Sequence, residues 1–367
     1  MTIISGRVAD FDQSEATRLD GWSRREAIAL WSNPASVTEI DLFVADLGQA
    51  LVTSCFIPIA VGSGTLFLDQ TYHDAHNYHT LAPSFADGRY TLEYDDAIPV
   101  VPGTTILIGG TPENNWYHWL MNWLPRLFMV QEQHPELFSR PDVRFAFHTN
   151  AEAGNKRAMI DLFGIDPDRL IFFDPAVTTR FERLLVPRFI NQNYYCGAAI
   201  RRMRDWFRAK VPGLAAAVAG PAHGMWISRE QIPHPCRRTA NIADLQPVFQ
   251  KHHIKSVVLE NLAFQDQAAS FAAADLVIGV HGAGFANLIF CRDDAKMLFF
   301  DNGRNDYFKL TGMHTYLADV LGIPWTLSIV DEVDVEGTDY SQFYHLHAKD
   351  VVVPPEVLDT LIQNSRA

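Results

Sequence analysis

The sequence predicts an α/β protein that contains a parallel sheet. From residue 223 onward, short apolar runs alternate with segments of helical periodicity. This alternation is typical of a parallel sheet with helices on both faces. The chain has 367 residues, and a prior of about 150 residues per domain indicates two domains. Residues 212–221, which are small residues with two prolines and two glycines, mark the expected boundary.

Composition and charge exclude several classes of protein. The net charge of −13 argues against a nucleic-acid partner, because phosphate backbones bind basic surfaces. Apolar residues make up 48% of the chain and charged residues 20%, as in a soluble globular protein. The N-terminus resembles no signal peptide, and no apolar run approaches the roughly 18 residues of a membrane span.

The cysteines indicate a reducing compartment. They lie far apart and form no CxxC pair, so we expect neither a disulfide scaffold nor a zinc ribbon. Reduced thiols in a cytoplasmic protein are the expectation. The four residues are Cys55, Cys196, Cys236 and Cys291.

Strand signals are sparse in the first hundred residues and clearer afterwards. Strands are predicted at ALVTSCFIPIAV, GTLFLD, TTILIGG, RFAFHT and LIFF, with a helix over residues 156–163. A later helix, from about residue 198, is rich in basic residues. It is either a solvated face or a contact with a membrane surface or glycolipid. Its basic residues are Arg201, Arg202, Arg204, Arg208 and Lys210.

After the boundary, strands and helices alternate regularly. The predicted strands are GMWIS, IKSVVLE, LVIGV, KMLFF and WTLSIV. The predicted helices are IADLQPVFQKHH, capped by Thr239 or Asn241, then AFQDQAASFAAA, FANLIFC and YFKLTGMHTYLADVLG. Ligands of such a sheet bind beyond the carboxyl ends of its strands. Polar residues follow four of these strands and predict a site there: Ser228 with Arg229, Glu260, His281 and Asp301.

The turn Gly282-Ala283-Gly284 suits a diphosphate. Without Cβ atoms, its backbone N–H groups can approach an anion, and the following helix adds its positive end. A tight turn that binds no ligand is the alternative. His281 either donates to the phosphate or is a satisfied core histidine.

Side chains near this turn fit the rest of a nucleotide. Arginine forks bind phosphate oxygens, and Arg229, Arg237 and Arg238 lie in or just after a proline-containing loop. Ordinary surface arginines are the alternative. The Glu260 carboxylate suits the hydroxyl groups of a ribose.

A dinucleotide-binding fingerprint is a competing interpretation. Gly282-x-Gly284-x-x-Asn287, with Asp301 after the next strand, would indicate a nicotinamide-dependent dehydrogenase. Three observations count against it: Asn287 replaces the third glycine, the helix is short, and the motif follows the third strand of its unit.

A second group of polar residues lies on one predicted helix. At 100° per residue, Asn115, His118, Asn122 and Arg126 fall within a sector about 80° wide, and the rest of the helix is apolar. Either the stripe satisfies its own hydrogen bonds or it lines a cleft. In a cleft, His118 could act as a general base. Pro125 should kink the helix.

Together these motifs resemble the family 61 glycosyltransferases. The resemblance rests on NNWYHWLMNWLPRL, then ISR, RRTAN and VVLENLAFQDQAASFAAADLVIGVHGAGFANLIF, in this order. It covers roughly residues 100–345. The family includes bacterial capsule and polysaccharide enzymes, plant xylosyltransferases and protein O-GlcNAc transferases of the secretory pathway.

The resemblance implies a GT-B fold, with two Rossmann-like lobes whose parallel sheets face each other across a cleft. Residues 1–215 would be the acceptor-side lobe, residues 216–345 the nucleotide-sugar lobe, and residues 346–367 a tail or helix that packs back on the first lobe. It further implies inverting transfer from a UDP sugar to a glycan or glycolipid in surface-polysaccharide synthesis. No metal and no cofactor beyond the donor are expected, and the enzyme would be cytoplasmic or peripheral at the inner face of the membrane.

The resemblance also implies roles for individual residues. His118, Glu113 and Asn122 are the catalytic candidates. The remaining site candidates would bind substrate or nucleotide: Asn115, Arg126, Ser228, Arg229, Arg237, Arg238, Asn241, Glu260, His281, Gly282, Ala283, Gly284 and Asn287.

Two positions depart from the family pattern. Many relatives carry an acidic residue where this chain has Asn122, and an amide cannot act as a base at neutral pH. Ile242 stands where a glutamate often follows Asn241. Either His118 is the base, or Glu113 supplies the carboxylate, or the protein binds a nucleotide sugar without catalysis.

Overall fold

The computed structural model divides the chain into two compact units. It describes residues 2–9, 17–19, 23–30, 33–53, 57–67, 84–86, 89–109, 115–174, 177–188, 194–232, 237–303, 311–335 and 349–367. Met1–Leu30 and Ala35–Ala199 form the first unit, and Trp31–Pro34 and Ile200–Ala367 form the second. The main division therefore lies between residues 199 and 200, and the boundary proposed at residue 215 lies within the second unit.

The described strands before residue 199 form two sheets. One is a 12-stranded mixed sheet with the main order β13-β12-β11-β14-β6-β7-β8-β1-β10-β9, in which β5 pairs with β14 and β2 pairs with β5. The other has the order β15-β3-β4. The bounds are β1 (Thr2–Ala9), β2 (Thr17–Arg18), β3 (Arg24–Leu30), β4 (Asn33–Leu42), β5 (Val44–Asp46), β6 (Ala50–Thr53), β7 (Ile57–Ala60), β8 (Thr65–Phe67), β9 (Ser84–Ala86), β10 (Arg89–Tyr94), β11 (Val100–Leu107), β12 (Val143–His148), β13 (Leu170–Phe173), β14 (Thr179–Pro187) and β15 (Tyr194–Tyr195).

Only one part of the large sheet matches the expected parallel lobe. Strands β11, β12, β13 and β14 are parallel neighbours, whereas β14 pairs antiparallel with β6 and β5. The first unit therefore contains parallel strands, as expected, and strands from the first hundred residues extend the same sheet in antiparallel orientation. The helices are α1 (Trp116–His118), a π-helical segment (Trp119–Trp123), α2 (Leu124–Gln133), α3 (Glu136–Ser139) and α4 (Gly154–Asp161), with 3-10 turns at Thr149–Ala151 and Pro167–Arg169.

The second unit contains the regular alternation that the sequence predicts. Its described strands form a five-stranded parallel sheet of order β17-β16-β18-β19-β20 and a small antiparallel pair, β21 and β22. The strands are β16 (His223–Ser228), β17 (Ile254–Val258), β18 (Ala274–Val280), β19 (Lys296–Asp301), β20 (Trp325–Ile329), β21 (Asp331–Val333) and β22 (Asp350–Val352). The helices are α5 (Gly197–Lys210), α6 (Leu214–Ala219), α7 (Gln246–His252), α8 (Phe264–Ala272), α9 (Thr311–Leu321) and α10 (Pro355–Arg366), with 3-10 segments at Ile242–Leu245, Leu259–Asn261 and Ala283–Phe290.

The C-terminal helix α10 packs within the second unit. Leu358 and Ile362 are fully buried and belong to the same apolar cluster as Trp226, Leu298 and Phe300 of the sheet. The apolar side of α10 therefore covers the sheet of its own unit. That residues 346–367 pack back on the first lobe stays a prediction.

Candidate functional site

The carboxyl ends of β16 and β18 lie side by side where the strand order reverses. Of the five strands in this sheet, β16 comes first in sequence, yet it lies between β17 and β18, which come second and third. Parallel sheets bind ligands at such a reversal, because the connections leave in opposite directions and open a crevice. Ser228 is the last residue of β16 and Arg229 follows it, whereas the turn from His281 to Gly284 follows β18.

Arg229 lies directly against the glycine turn. A Cβ atom placed on Gly282 would lie 2.0 Å from Arg229 Nη1, so the guanidinium occupies the space that a side chain would fill. At Gly284, a Cβ would lie 2.8 Å from Leu259 Cδ1. The structure therefore brings the predicted arginine and the predicted turn together. Ala283 begins the 3-10 helix and is partly exposed, whereas Asn287 is completely buried.

His281 is buried beside an aspartate and a second histidine. Its Nδ1 atom lies 3.4 Å from Asp301 Oδ2, and its ring packs edge-on against that of His314 at 4.9 Å between centroids. Burial is the main cause that lowers the pKa of His281 to about 4. Asp301 raises this pKa, while Arg237 and Arg229 lower it further. The imidazole is therefore neutral at pH 7.

His314 was missing from the predicted site, whereas Asp301 was among the strand-end residues that predicted it. The position of Asp301 at the end of a strand was a usable signal. His314 lies within α9, where an isolated histidine gives no signal in the sequence.

The predicted arginines at 237 and 238 have different environments. Arg238 binds Asp350, a fully buried carboxylate, through its backbone N–H at 2.8 Å and through Nη2 at 2.9 Å. Its fork therefore serves an internal ion pair. Arg237 has a left-handed backbone, with φ at 53°. Its charge acts on both His281 and His314, which places it near the turn.

Asn241 has a structural role rather than a capping one. Its side-chain amide donates to the carbonyl of Val353 at 2.9 Å and accepts the N–H of Val353 at 3.0 Å. At the start of the 3-10 segment Ile242–Leu245 it makes no side-chain cap bond. The cap was predicted at Thr239 or Asn241. Asn241 lies at the N-cap position, but its side-chain amide pairs with the chain after β22 instead of capping the segment.

The rim of the site carries two carboxylates. Glu260 is exposed in the 3-10 turn that follows β17. Glu230, which the sequence did not suggest, accepts a hydrogen bond from the Ser228 hydroxyl at 3.2 Å. Asn261 donates to Gln231 at 2.8 Å and so joins the loops that follow β16 and β17.

In the first unit, His118 and Asn122 form a buried pair. His118 Nδ1 and Asn122 Oδ1 are 2.7 Å apart, and both residues are almost fully buried. Asn122 lies within the π-helical segment Trp119–Trp123, which begins directly after His118, and the Leu124 N–H donates to the Trp119 carbonyl. Pro125 lacks an N–H, so the predicted irregularity takes the form of a π-helix, a feature often found at functional sites.

The other members of the polar stripe have local partners. Asn115 Oδ1 accepts the Tyr117 N–H at 2.9 Å and caps the helix. Arg126 is buried, donates to the Gly109 carbonyl at 3.3 Å and lies 4.5 Å above the Trp123 ring. Trp119 and Trp123 are core residues. These bonds occupy the side-chain oxygen of Asn115 and one nitrogen of Arg126. Glu113 lies outside the described residues.

The basic residues of α5 mainly hold the second unit together. Arg201 donates to the carbonyl of Val320 at 3.2 Å and Arg204 to that of Leu321 at 3.0 Å. Arg208 donates to the Cys291 carbonyl at 2.7 Å. A membrane-surface role for these three arginines is therefore not supported, because their side chains pair with backbone groups of their own unit.

Comparison with known proteins places these residues in a family. A family model described as Glycosyltransferase 61 matches residues 116–298, about half of the chain. The match includes the His118–Asn122 pair and the glycine turn, and it ends before Asp301 and His314. A search of curated proteins gave no match.

Within the residues that the structure describes, no helix has the length and apolar character needed to cross a membrane. In the same ranges, no three His, Cys, Asp or Glu side chains are grouped as metal ligands.

Proposed function

Because the chain belongs to glycosyltransferase family 61, we propose that it transfers a sugar from UDP to a hydroxyl group of a glycan or glycolipid, with inversion and without a metal. Membership gives the reaction class, which is transfer of a glycosyl group from a nucleotide sugar to a glycan acceptor. The donor, stereochemistry and acceptor are our proposal, as are a role in surface-polysaccharide synthesis, the GT-B arrangement and a cytoplasmic or peripheral location.

The observation that carries the proposal is the contact between Arg229 and Gly282. In this contact a guanidinium fork lies beside the glycine turn at the strand-order reversal, where nucleotides bind in parallel sheets. Such groups can stabilise the charge that develops on a departing diphosphate. Arg237 adds positive charge nearby. These charges are the reason for proposing that no metal ion is needed.

His118 is the proposed base. With Asn122 Oδ1 accepting at 2.7 Å, Nδ1 carries the proton and Nε2 carries the lone pair. Nε2 can then take the proton of the acceptor hydroxyl while the oxygen attacks the anomeric carbon opposite the leaving diphosphate. Asn122 thus orients the imidazole, although it lacks the charge of the acid found in many relatives.

Replacing His118 by alanine tests the assignment. We expect His118→Ala to lower the transfer rate by at least roughly a hundredfold, as for loss of a general base, and to leave the Kd for UDP unchanged. His134→Ala is the matched control, because His134 is equally buried at the end of the same helical segment. Turnover retained in His118→Ala would contradict the base assignment.

A non-catalytic nucleotide-sugar-binding protein is the second candidate. Asn122 favours it, because the position lacks an acid. Donor binding with neither transfer nor slow donor hydrolysis would support this candidate. Two observations count against the dehydrogenase alternative. The glycine turn follows β18, the third strand of its sheet in sequence order, and the matched family is one of glycosyltransferases.

A further inference from the structure

Behind the glycine turn, Asp301, His281 and His314 form a buried polar cluster. Asp301 is completely buried, and its Oδ1 accepts the Gly303 N–H at 2.9 Å. Its second oxygen faces His281 Nδ1 at 3.4 Å. His314, from α9, packs against His281 and against the rings of Phe285 and Phe299. Asp301 and His314 lie beyond the residues that the family model matches.

The position of Asp301 determines what His281 can offer to a ligand. A neutral imidazole has one N–H and one lone pair. Because Nδ1 faces a carboxylate oxygen, the neutral ring keeps its proton on Nδ1 and presents the lone pair at Nε2. Phosphate oxygens are also acceptors. Neutral His281 therefore cannot form a hydrogen bond to a diphosphate through Nε2.

The net electrostatic effect of the surrounding groups on protonation of His281 changes from unfavourable to favourable when an anion binds. In the free protein, burial disfavours an imidazolium at position 281. Two arginines disfavour it as well: Arg237, in the loop before the 3-10 segment, and Arg229, directly after β16. Asp301 from β19 favours it, and His314 from α9 is itself held neutral by burial. A diphosphate against Arg229 would offset both arginine charges and leave Asp301 to stabilise the imidazolium.

We propose that binding of a diphosphate at the glycine turn protonates His281 at Nε2, with Asp301 as its counter-ion and His314 as a positioning residue. The proton comes from solvent, and the new N–H donates to a phosphate oxygen. This inference rests on the proposed function. Protonated His281 gives the leaving group a charged hydrogen-bond donor. This matters because a released nucleoside diphosphate carries more negative charge than the same diphosphate esterified to a sugar.

Calorimetry of UDP binding in several buffers tests the proposal. At pH 7.5, the terminal phosphate of UDP is already ionised, since its pKa lies near 6. The slope of the observed enthalpy against the ionisation enthalpy of the buffer then counts the protons taken up by the protein. We expect an uptake close to one proton per UDP, and a Kd that tightens as the pH falls from 8.5 to 6.5. No uptake by the wild-type chain would overturn the proposal.

Three variants separate this role from a structural one. Asp301→Asn keeps an acceptor for Nδ1 but removes the charge, so the uptake should fall toward zero and the Kd should weaken on the order of tenfold. His281→Gln should also bind UDP without proton uptake. His223 lies at the amino end of β16, at the other end of the strand from Arg229. His223→Gln should therefore keep both the proton uptake and the Kd.

The outcomes distinguish failure of the proposed proton uptake from failure of the proposed function. UDP binding without proton uptake would leave the proposed transferase in place and remove the role of His281 and Asp301. Wild-type uptake that persists in Asp301→Asn would also contradict the counter-ion. If UDP does not bind at all, the proposed function fails, and this inference fails with it.

Discussion

At the scale of the residue, Gly282 makes room for another residue of the protein. The Arg229 guanidinium lies where a side chain at 282 would be. The φ of Gly282 is 177°, an extended value that any residue can adopt, so backbone strain does not explain the glycine. The close approach of the arginine does. The absence of a side chain at Gly282 therefore allows the Arg229 guanidinium, and its positive charge, to lie against the turn.

Replacing Gly282 by alanine should weaken donor binding. The new methyl group would overlap Arg229 Nη1 at 2.0 Å, so the guanidinium must move away from the turn. We expect Gly282→Ala to weaken the Kd for UDP by about tenfold, the effect of one charged hydrogen bond, with the fold retained by circular dichroism. Gly62→Ala is the control, because a Cβ there meets nothing within 4 Å. An unchanged Kd in Gly282→Ala would argue against this seat for Arg229.

Local sequence patterns predicted some of these residues and could not predict others. The glycines, His281 and Arg229 adjoin strand ends in the chain, so alternation and turn chemistry predicted their position. The ion pair between Arg238 and Asp350 joins residues 112 positions apart, and no local pattern encodes it. His314 likewise reaches the cluster only through the packing of α9.

At the scale of the element, the loop before α7 is joined to β22 by one isolated parallel bridge, between Thr239 and Val351. Residues 238–241 run beside β22, with backbone bonds from Ala240 to Val351 and from Val351 to Arg238. Arg238 and Asn241 add the side-chain bonds to Asp350 and Val353. This pairing fixes the backbone next to Arg237. Two residues predicted to bind nucleotide, Arg238 and Asn241, thus also pair with the chain around β22.

Removing the Asp350 carboxylate should destabilise this pairing. Asp350→Ala leaves Arg238 without its buried partner, and loss of one member of a buried pair costs roughly 3 kcal/mol. A lower midpoint of urea unfolding would show it. Asp334→Ala is the matched control, because Asp334 forms an exposed ion pair with Lys349 and should leave the midpoint nearly unchanged. Equal midpoints for the two variants would contradict the structural role of Asp350.

Element types were predictable where the hydrophobic period was strong. All five strands predicted for the second unit are present, because buried parallel strands read as apolar runs. The segment after the glycine turn is a 3-10 helix over Ala283–Phe290 rather than an α-helix. The antiparallel half of the first sheet was not predicted, since pairing between distant strands leaves no local signal.

At the scale of the whole molecule, two buried neutral histidines make stability depend on pH. Burial lowers the pKa of His281 to about 4 and that of His314 well below its ordinary value. An unfolded chain binds these protons near pH 6.5. Below that pH the unfolded state therefore binds more protons than the folded state, and the free energy of unfolding falls.

Urea unfolding at several pH values checks this dependence. We expect the midpoint to hold above pH 6.5 and to drop as the pH falls from 6.5 toward 4. His314→Phe should make the drop shallower, because phenylalanine fits among Phe285 and Phe299 and has no proton to bind. His253→Asn, an exposed position with left-handed backbone, is the control. A slope unchanged in His314→Phe would count against this account.

Whether the second unit binds a uridine diphosphate without a metal is the central question. Calorimetric titration with UDP, GDP, CMP and NAD, each with and without EDTA, answers it most directly. The account predicts that UDP binds with micromolar affinity, that EDTA leaves this affinity unchanged, and that Gly282→Ala weakens it. Binding of NAD alone, or binding of UDP that disappears with EDTA, would contradict the account.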